Sequence, residues 1–181
     1  MYDALILAGG SGRRLGGVDK AAVVVGELSM LDRVLLACTG AAQRVVVGPS
    51  HPTSLPVAWT REDPPGRGPV PAAEAGLALV TADLVLLLAV DLPFFTAECA
   101  ELLISRAPAV IVAEGRPQWL CGAWPSAELL QAVRAAGGEQ RLGVVLGSLA
   151  PAQVTWQGSG RPWEDCDTEQ DLLRARSHSQ L

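Results

Sequence analysis

The sequence predicts an α/β protein, a three-layer sandwich in which helices cover both faces of a mostly parallel sheet that includes a small antiparallel hairpin. Two observations lead there. Apolar runs of strand length alternate along the chain with segments of helical period. The 49% hydrophobic content is carried by Ala, Val and Leu, with aromatics at only 4%, which suits parallel strands buried beneath helices. At 181 residues the chain reads as one domain over residues 1–176 with a frayed tail over 177–181, large enough to bury roughly 70% of the surface its unfolded form exposes.

The first strand is Asp3 to Leu7. "AAVVV" (21–25) reads as a short strand, and Ser29 as a helix N-cap with Asp32 in the capping-box position. Met30, Leu31, Val34, Leu35 and Cys38 then share one face of that helix. "RVVVG" (44–48) is the second buried strand and "PVAW" (56–59) a shorter one, separated by a loop of prolines and polar residues. The Pro- and Gly-rich stretch 61–71 leads into a helix over 72–80. "LVLLLAV" (84–90) is the central strand, stopped by Asp91, with Pro93 and a Thr96 cap opening the next helix. "AVIVA" (109–113) and "QWLCGAW" (118–124) flank the turn "EGRP" at hairpin spacing. Helices over 126–136 and 139–148 follow, then a strand at "AQVTW" (152–156). Thr168, with Asp171 three residues on, caps the last helix.

Charge and cysteine usage exclude several function classes. The net charge of −5 makes nucleic acid and anionic membrane poor partners for the surface as a whole. Cys38, Cys99, Cys121 and Cys166 are widely spaced, which suggests neither a disulfide framework nor a zinc site. The longest apolar run, Leu84 to Val90, is too short to span a bilayer, and the N-terminus lacks a signal-peptide pattern. The expectation is a reducing, cytoplasmic protein.

One local site runs against the acidic surface. "LAGGSGRRLGGVDK" (7–20) follows the first strand and holds glycines at 9, 10, 12, 16 and 17 with Arg13, Arg14 and Lys20. Of 14 basic residues thirteen are arginine, so Lys20 is the only lysine. A compact ammonium suits phosphate oxygens as a point charge, and glycine-rich turns let backbone N–H groups point at an anion. The loop is not a P-loop, because Lys20 follows Asp19 and precedes Ala21. Nor is it a dinucleotide fingerprint, since Leu15 occupies a required glycine position and Gly48-Pro49 stands where an acidic residue is needed.

The pattern L-A-G-G-x-x-x-R-[ML]-G-G-x-D-K resembles the signature of the nucleotidyltransferases typified by molybdenum cofactor guanylyltransferase. Leu7, Ala8, Gly9, Gly10, Arg14, Gly16, Gly17, Asp19 and Lys20 fall in register. "GPVPAAEAGL", "AVDLPF", "QWLCGAW" and "DCDTEQDL" resemble later family segments in the same order. The fold so implied is a Rossmann-like three-layer sandwich. The activity implied is attack of an acceptor phosphate on the α-phosphorus of a nucleoside triphosphate, with release of pyrophosphate.

By this resemblance Arg14 and Lys20 hold the triphosphate, and Arg13 either joins them or is solvated. Asp91, at the carboxyl end of a buried strand where open α/β sheets bind ligands, is the candidate ligand for Mg²⁺. Asp165 and Asp167 either complete the metal site or orient the acceptor; the best-known members carry asparagines there. Guanine choice is read from Leu7, Ala8, Gly9 and Gly10, since guanine-selective members use L-A-G-G and cytidine-selective ones L-A-A-G. Asp63 is the candidate acceptor for the guanine edge, and Glu62 is equally legible. Trp119 and Trp124 either wall an acceptor pocket or pack against the sheet. No role is assigned to His51 or His178. The expected function is a Mg²⁺-dependent guanylyltransferase joining GMP from GTP to molybdopterin or its molybdenum-loaded form. Its rivals are a molybdopterin cytidylyltransferase, a sugar-1-phosphate or phospholactate nucleotidyltransferase, and a non-catalytic nucleotide-binding domain. Arg14, Lys20 and Asp91 together favour catalysis, since binding alone does not need both lysine and metal carboxylate.

Overall fold

The structure is a computed structural model that describes residues 1–9, 18–139 and 141–178. Its strands are β1 (Tyr2–Leu7), β2 (Val24–Val25), β3 (Leu28–Ser29), β4 (Arg44–Val47), β5 (Ala58–Thr60), β6 (Leu84–Ala89), β7 (Ala109–Ala113), β8 (Arg116–Pro125) and β9 (Ala152–Val154). Its helices are α1 (Met30–Ala37), α2 (Pro69–Leu77), α3 (Ala97–Ser105), α4 (Ser126–Ala135), α5 (Leu142–Gly147) and α6 (Glu169–His178). Among the described residues the main sheet has seven strands in the order β5-β4-β1-β6-β8-β7-β9. All run parallel except β8, which is antiparallel to both β6 and β7.

The period-2 alternation of β1, β4 and β6 divides the core between the two faces of the sheet. Ala4, Ile6, Val46, Leu86 and Leu88 point to α1 and α3. Leu5, Leu7, Val45, Val47, Val85 and Leu87 point to α2, α4 and α5. This is the expected three-layer sandwich. Gly76 shows how closely α2 lies on the sheet: a Cβ there would sit 2.3 Å from Leu5 Cδ1 and 2.7 Å from Val47 Cγ2.

The predicted caps form. Asp32 N donates to Ser29 Oγ at 3.0 Å and Ser29 Oγ donates to Asp32 Oδ2 at 2.8 Å. Cys99 N donates to Thr96 Oγ1 at 3.3 Å. Thr168 and Asp171 exchange N–H bonds, 2.8 Å from Thr168 N to Asp171 Oδ2 and 3.2 Å from Asp171 N to Thr168 Oγ1.

Two expectations need correction. Residues 21–25 are not one strand. A single 3-10 turn spans Lys20–Ala22, and only Val24 and Val25 are extended, paired with β3 in a separate two-stranded sheet. The β-branched run suggested a strand, but the cap that Asp19 places on Ala21 N bends its first half. Second, α2 begins at Pro69, the favoured first position of a helix, rather than at residue 72. The expected antiparallel pairing of β7 with β8 forms, and β8 inserts between β7 and β6 in the main sheet. Beyond these, α6 takes in residues 177 and 178, which the sequence assigned to the tail.

Candidate active site

The carboxyl ends of β1, β4, β5 and β6 lie side by side, and the chain leaving each of them lines one cleft of about 1240 Å³. Leu7, Ala8 and Gly9 leave β1, Gly48 and Pro49 leave β4, Arg61 and Glu62 leave β5, and Val90, Asp91 and Leu92 leave β6. The amino end of α2 contributes Gly68 and Pro69, which aims a partial positive charge into the same space. Residues 117–121 of β8, with Trp163, Asp165 and Asp167, close the other side.

Lys20 is the centre of the polar cluster. Its Nζ donates to Asp91 Oδ2 at 2.6 Å and also to Asp167 Oδ1. Burial presses the ammonium's pKa downward, but the bonds to Asp167 and Asp91 more than offset this, so it lies above the ordinary lysine value. The turn that presents Lys20 is braced from behind. Asp19 Oδ1 accepts from Ala21 N at 3.1 Å, and Asp19 Oδ2 lies 2.9 Å from His51 Nε2. His51 meets the Trp59 ring edge to face at 6.0 Å.

The carboxylates reach this point by two routes. Val90 N donates to Leu7 O at 3.1 Å, which carries the β1–β6 pairing up to Asp91. Cys166 N donates to Asp91 O at 3.0 Å, which docks the segment 165–167 against the same strand end. Cys166 itself is buried among Val23, Val25, Met30 and Ala175, so it anchors the two flanking aspartates at the cleft. Burial raises the Asp165 pKa, as do Asp167 and Asp91 nearby, with Lys20 opposing. Asp91 and Asp167 thus share the Lys20 ammonium.

Predicted residues divide as follows. Leu7, Ala8, Gly9, Lys20, Asp91, Asp165 and Asp167 all line the cleft. Asp63 does not: it is exposed, while Glu62 lines the wall with its Oε1 accepting from Gly66 N at 2.7 Å. Gly10, Arg13 and Arg14 lie outside the described residues. Trp119 lines the cleft, whereas Trp124 is fully buried in the core. Sequence reasoning passed over Arg61, a second cation on the cleft wall, and His51; neither stands in a motif, and both depend on strand ends meeting in space. No group of three or more His, Cys, Asp or Glu in ligating geometry occurs among the described residues, and none of the helices described is long and apolar enough to cross a membrane.

A mostly parallel sheet whose strand ends gather Gly9, a lysine and several carboxylates into one cleft is the framework of a nucleotidyltransferase. Residues 4–154 match the MobA-like NTP transferase domain, and the chain belongs to that family. It is 31% identical to the molybdenum cofactor guanylyltransferase of Acidiphilium cryptum, over 96% of this chain and 93% of that one. The fold matches the crystal structure of molybdopterin-guanine dinucleotide biosynthesis protein A from Archaeoglobus fulgidus with a TM-score of 0.76, covering 98% of each chain at 18% identity. It also matches the 2-C-methyl-D-erythritol 4-phosphate cytidylyltransferase of Thermus thermophilus with a TM-score of 0.72, covering 100% of each chain at 17% identity.

Proposed function

We propose that this nucleotidyltransferase transfers GMP from GTP to the terminal phosphate of molybdopterin or its molybdenum-loaded form. An acceptor phosphate oxygen forms a bond to the α-phosphorus, the bond to the α–β bridging oxygen breaks, and pyrophosphate leaves. The chain's task is positioning and charge neutralisation. Lys20 and Arg14 hold the triphosphate, and the backbone of Leu7, Ala8, Gly9 and Gly10 lies against the guanine. Between the two candidate acceptors for the guanine edge, cleft lining favours Glu62 over Asp63. The relatives' names support the guanine and molybdopterin assignments.

The observation that carries this reading is the position of Lys20 between Asp91 and Asp167. An ammonium held there marks a place where oxygen donors balance positive charge, with Asp165 on the same cleft wall. That donor set fits Mg²⁺, a hard ion that takes one or two carboxylates together with phosphate oxygens. Asp91 would hold it, with Asp167 or Asp165 as a second donor, and when bound it would neutralise charge on the phosphates.

The test is pyrophosphate release with Mg²⁺ and molybdopterin, comparing GTP, CTP, ATP and UTP. GTP is expected to support turnover and to protect the fold thermally more than the others do. Equal turnover with CTP would overturn the guanine assignment, and turnover with a sugar phosphate in place of molybdopterin the acceptor assignment.

A further inference from the structure

We infer that Trp119 is the platform on which the planar ring of the acceptor stacks, an inference that rests on the molybdopterin reading above. Three observations carry it. First, the indole lies so close to a helix that a side chain at Gly143 would collide with it. Gly143 and Gly147, one helical turn apart on α5, both face Trp119. A Cβ at Gly143 would sit 2.6 Å from Trp119 Cδ1 and Nε1, and one at Gly147 would sit 3.4 Å from Trp119 Cη2. The long edge of the ring therefore lies across a flat bed. Leu142, Val145 and Leu146 are buried in the core and fix the helix that provides it.

Second, the ring so held is not buried. Trp119 stays half-buried on the cleft wall, in contrast to Trp124 on the same strand, which is fully buried. Packing alone would account for Trp124 but not for an immobilised indole left open to the cleft. An aromatic face in that condition favours a flat heterocycle, because stacking is realised without ordering a mobile side chain.

Third, the order of strands assigns the ring to the acceptor. Leu88 of β6 pairs with Cys121 of β8, so Trp119, two residues further along, stands level with the strand end that carries Asp91. The glycine loop leaves β1 and Glu62 follows β5, both on the opposite side of β6 from β8 in the sheet. Neighbouring strands are about 4.8 Å apart, so β8 and β5, four places apart, are separated by roughly 19 Å. A nucleotide base near β5 and a ring on Trp119 thus flank the Lys20–Asp91 centre from two sides. A pterin is the bicyclic heteroaromatic that the proposed acceptor brings to the second position.

The experiment compares wild-type protein with Trp119→Leu and Trp119→Phe. The dissociation constant of a stable pterin phosphate monoester is measured by saturation-transfer NMR, beside KM for molybdopterin and for GTP. Trp119→Leu is expected to weaken pterin binding and raise KM for molybdopterin about ten- to hundredfold, in the range of aromatic stacking. KM for GTP and the thermal shift with GTP should stay unchanged, showing that the variant is folded, and Trp119→Phe should recover most of the loss. Equal pterin affinity in wild type and Trp119→Leu, with GMP transfer to molybdopterin intact, would overturn the stacking inference and leave the proposed function standing. Failure of the wild type to bind the pterin phosphate while it transfers GMP to a non-aromatic sugar phosphate would overturn both.

Discussion

Lys20 Nζ lies 2.6 Å from Asp91 Oδ2, joining residues 71 positions apart, one in a 3-10 turn and the other just past the carboxyl end of β6. β1 and β6 are parallel neighbours, so the chain leaves both at the same edge of the sheet, where this pair sits. Asp91→Asn keeps the size and polarity of the side chain but removes the charge that Lys20 uses and that the proposed divalent ion would use. Turnover with GTP and molybdopterin is expected to fall at least a hundredfold. The thermal melt should shift by no more than a few degrees, because Asp91 is not part of the apolar core. Wild-type activity in Asp91→Asn would show that this carboxylate does not hold the metal.

Gly76→Ala tests how the sheet positions the cleft. The added methyl would press on Leu5 and Val47 in the middle of the core, and overpacking of this kind costs about 1–3 kcal/mol. Since α2 carries Gly68 and Pro69 at its cleft end, displacement of the helix should also raise KM for GTP. Denaturant unfolding measures the first effect and steady-state kinetics the second; an unshifted melting transition would mean that α2 moves freely on the sheet.

The strands that carry this framework were legible because burial on both faces leaves near-continuous apolar runs, as in β1, β4 and β6. The helix caps were legible too, since Ser29, Thr96 and Thr168 act within three residues of themselves. What was not legible depends on residues far apart. Asp3 reads as the polar start of a strand, yet it is fully buried and accepts from the backbone N–H groups of Gln43, Thr81 and Ala82. The brace of His51 on Asp19 and the docking of Cys166 on Asp91 have no local signature. The same holds for Lys20: a motif could name it, but only the meeting of β1, β6 and the segment 165–167 seats it between two carboxylates.

The acid sensitivity of one loop follows from Asp32. Its Oδ1 accepts from Ser54 N at 2.9 Å and Ser54 Oγ at 2.8 Å, and its Oδ2 from Ser29 Oγ. Burial raises its pKa, but these bonds outweigh burial and hold it below the ordinary carboxylate value. A carboxyl depressed in the folded state contributes stability that is present above the unfolded value, about 3.9, and is lost as pH falls through the folded one. Asp32→Asn should therefore lower stability at pH 7 by about 1 kcal/mol, and the gap between variant and wild type should narrow below pH 4. Melts of the two proteins at pH 7 and pH 3 check this, and a gap that is constant with pH would refute it.

Lys20 separates binding of phosphate from balance of charge. On the proposed function Lys20→Ala would remove a charge-assisted bond to the triphosphate worth about 1.5–3 kcal/mol, and kcat/KM for GTP should fall roughly ten- to hundredfold. Lys20→Arg should recover only part of this, because a planar fork does not fill the place of an ammonium that reaches Asp91 and Asp167 together. Without nucleotide, Lys20→Ala removes the ammonium that Asp91 and Asp167 both accept from, and should lose about 1–2 kcal/mol of stability. A divalent ion can then supply what the ammonium did. Mg²⁺ should raise the melting temperature of Lys20→Ala more than that of wild type, while Na⁺ at equal ionic strength should not. The measurement is thermal unfolding of both proteins over a Mg²⁺ titration, read beside turnover. Equal Mg²⁺ shifts in both would mean that the carboxylates do not form a cation site, and full activity of Lys20→Ala would remove Lys20 from the triphosphate.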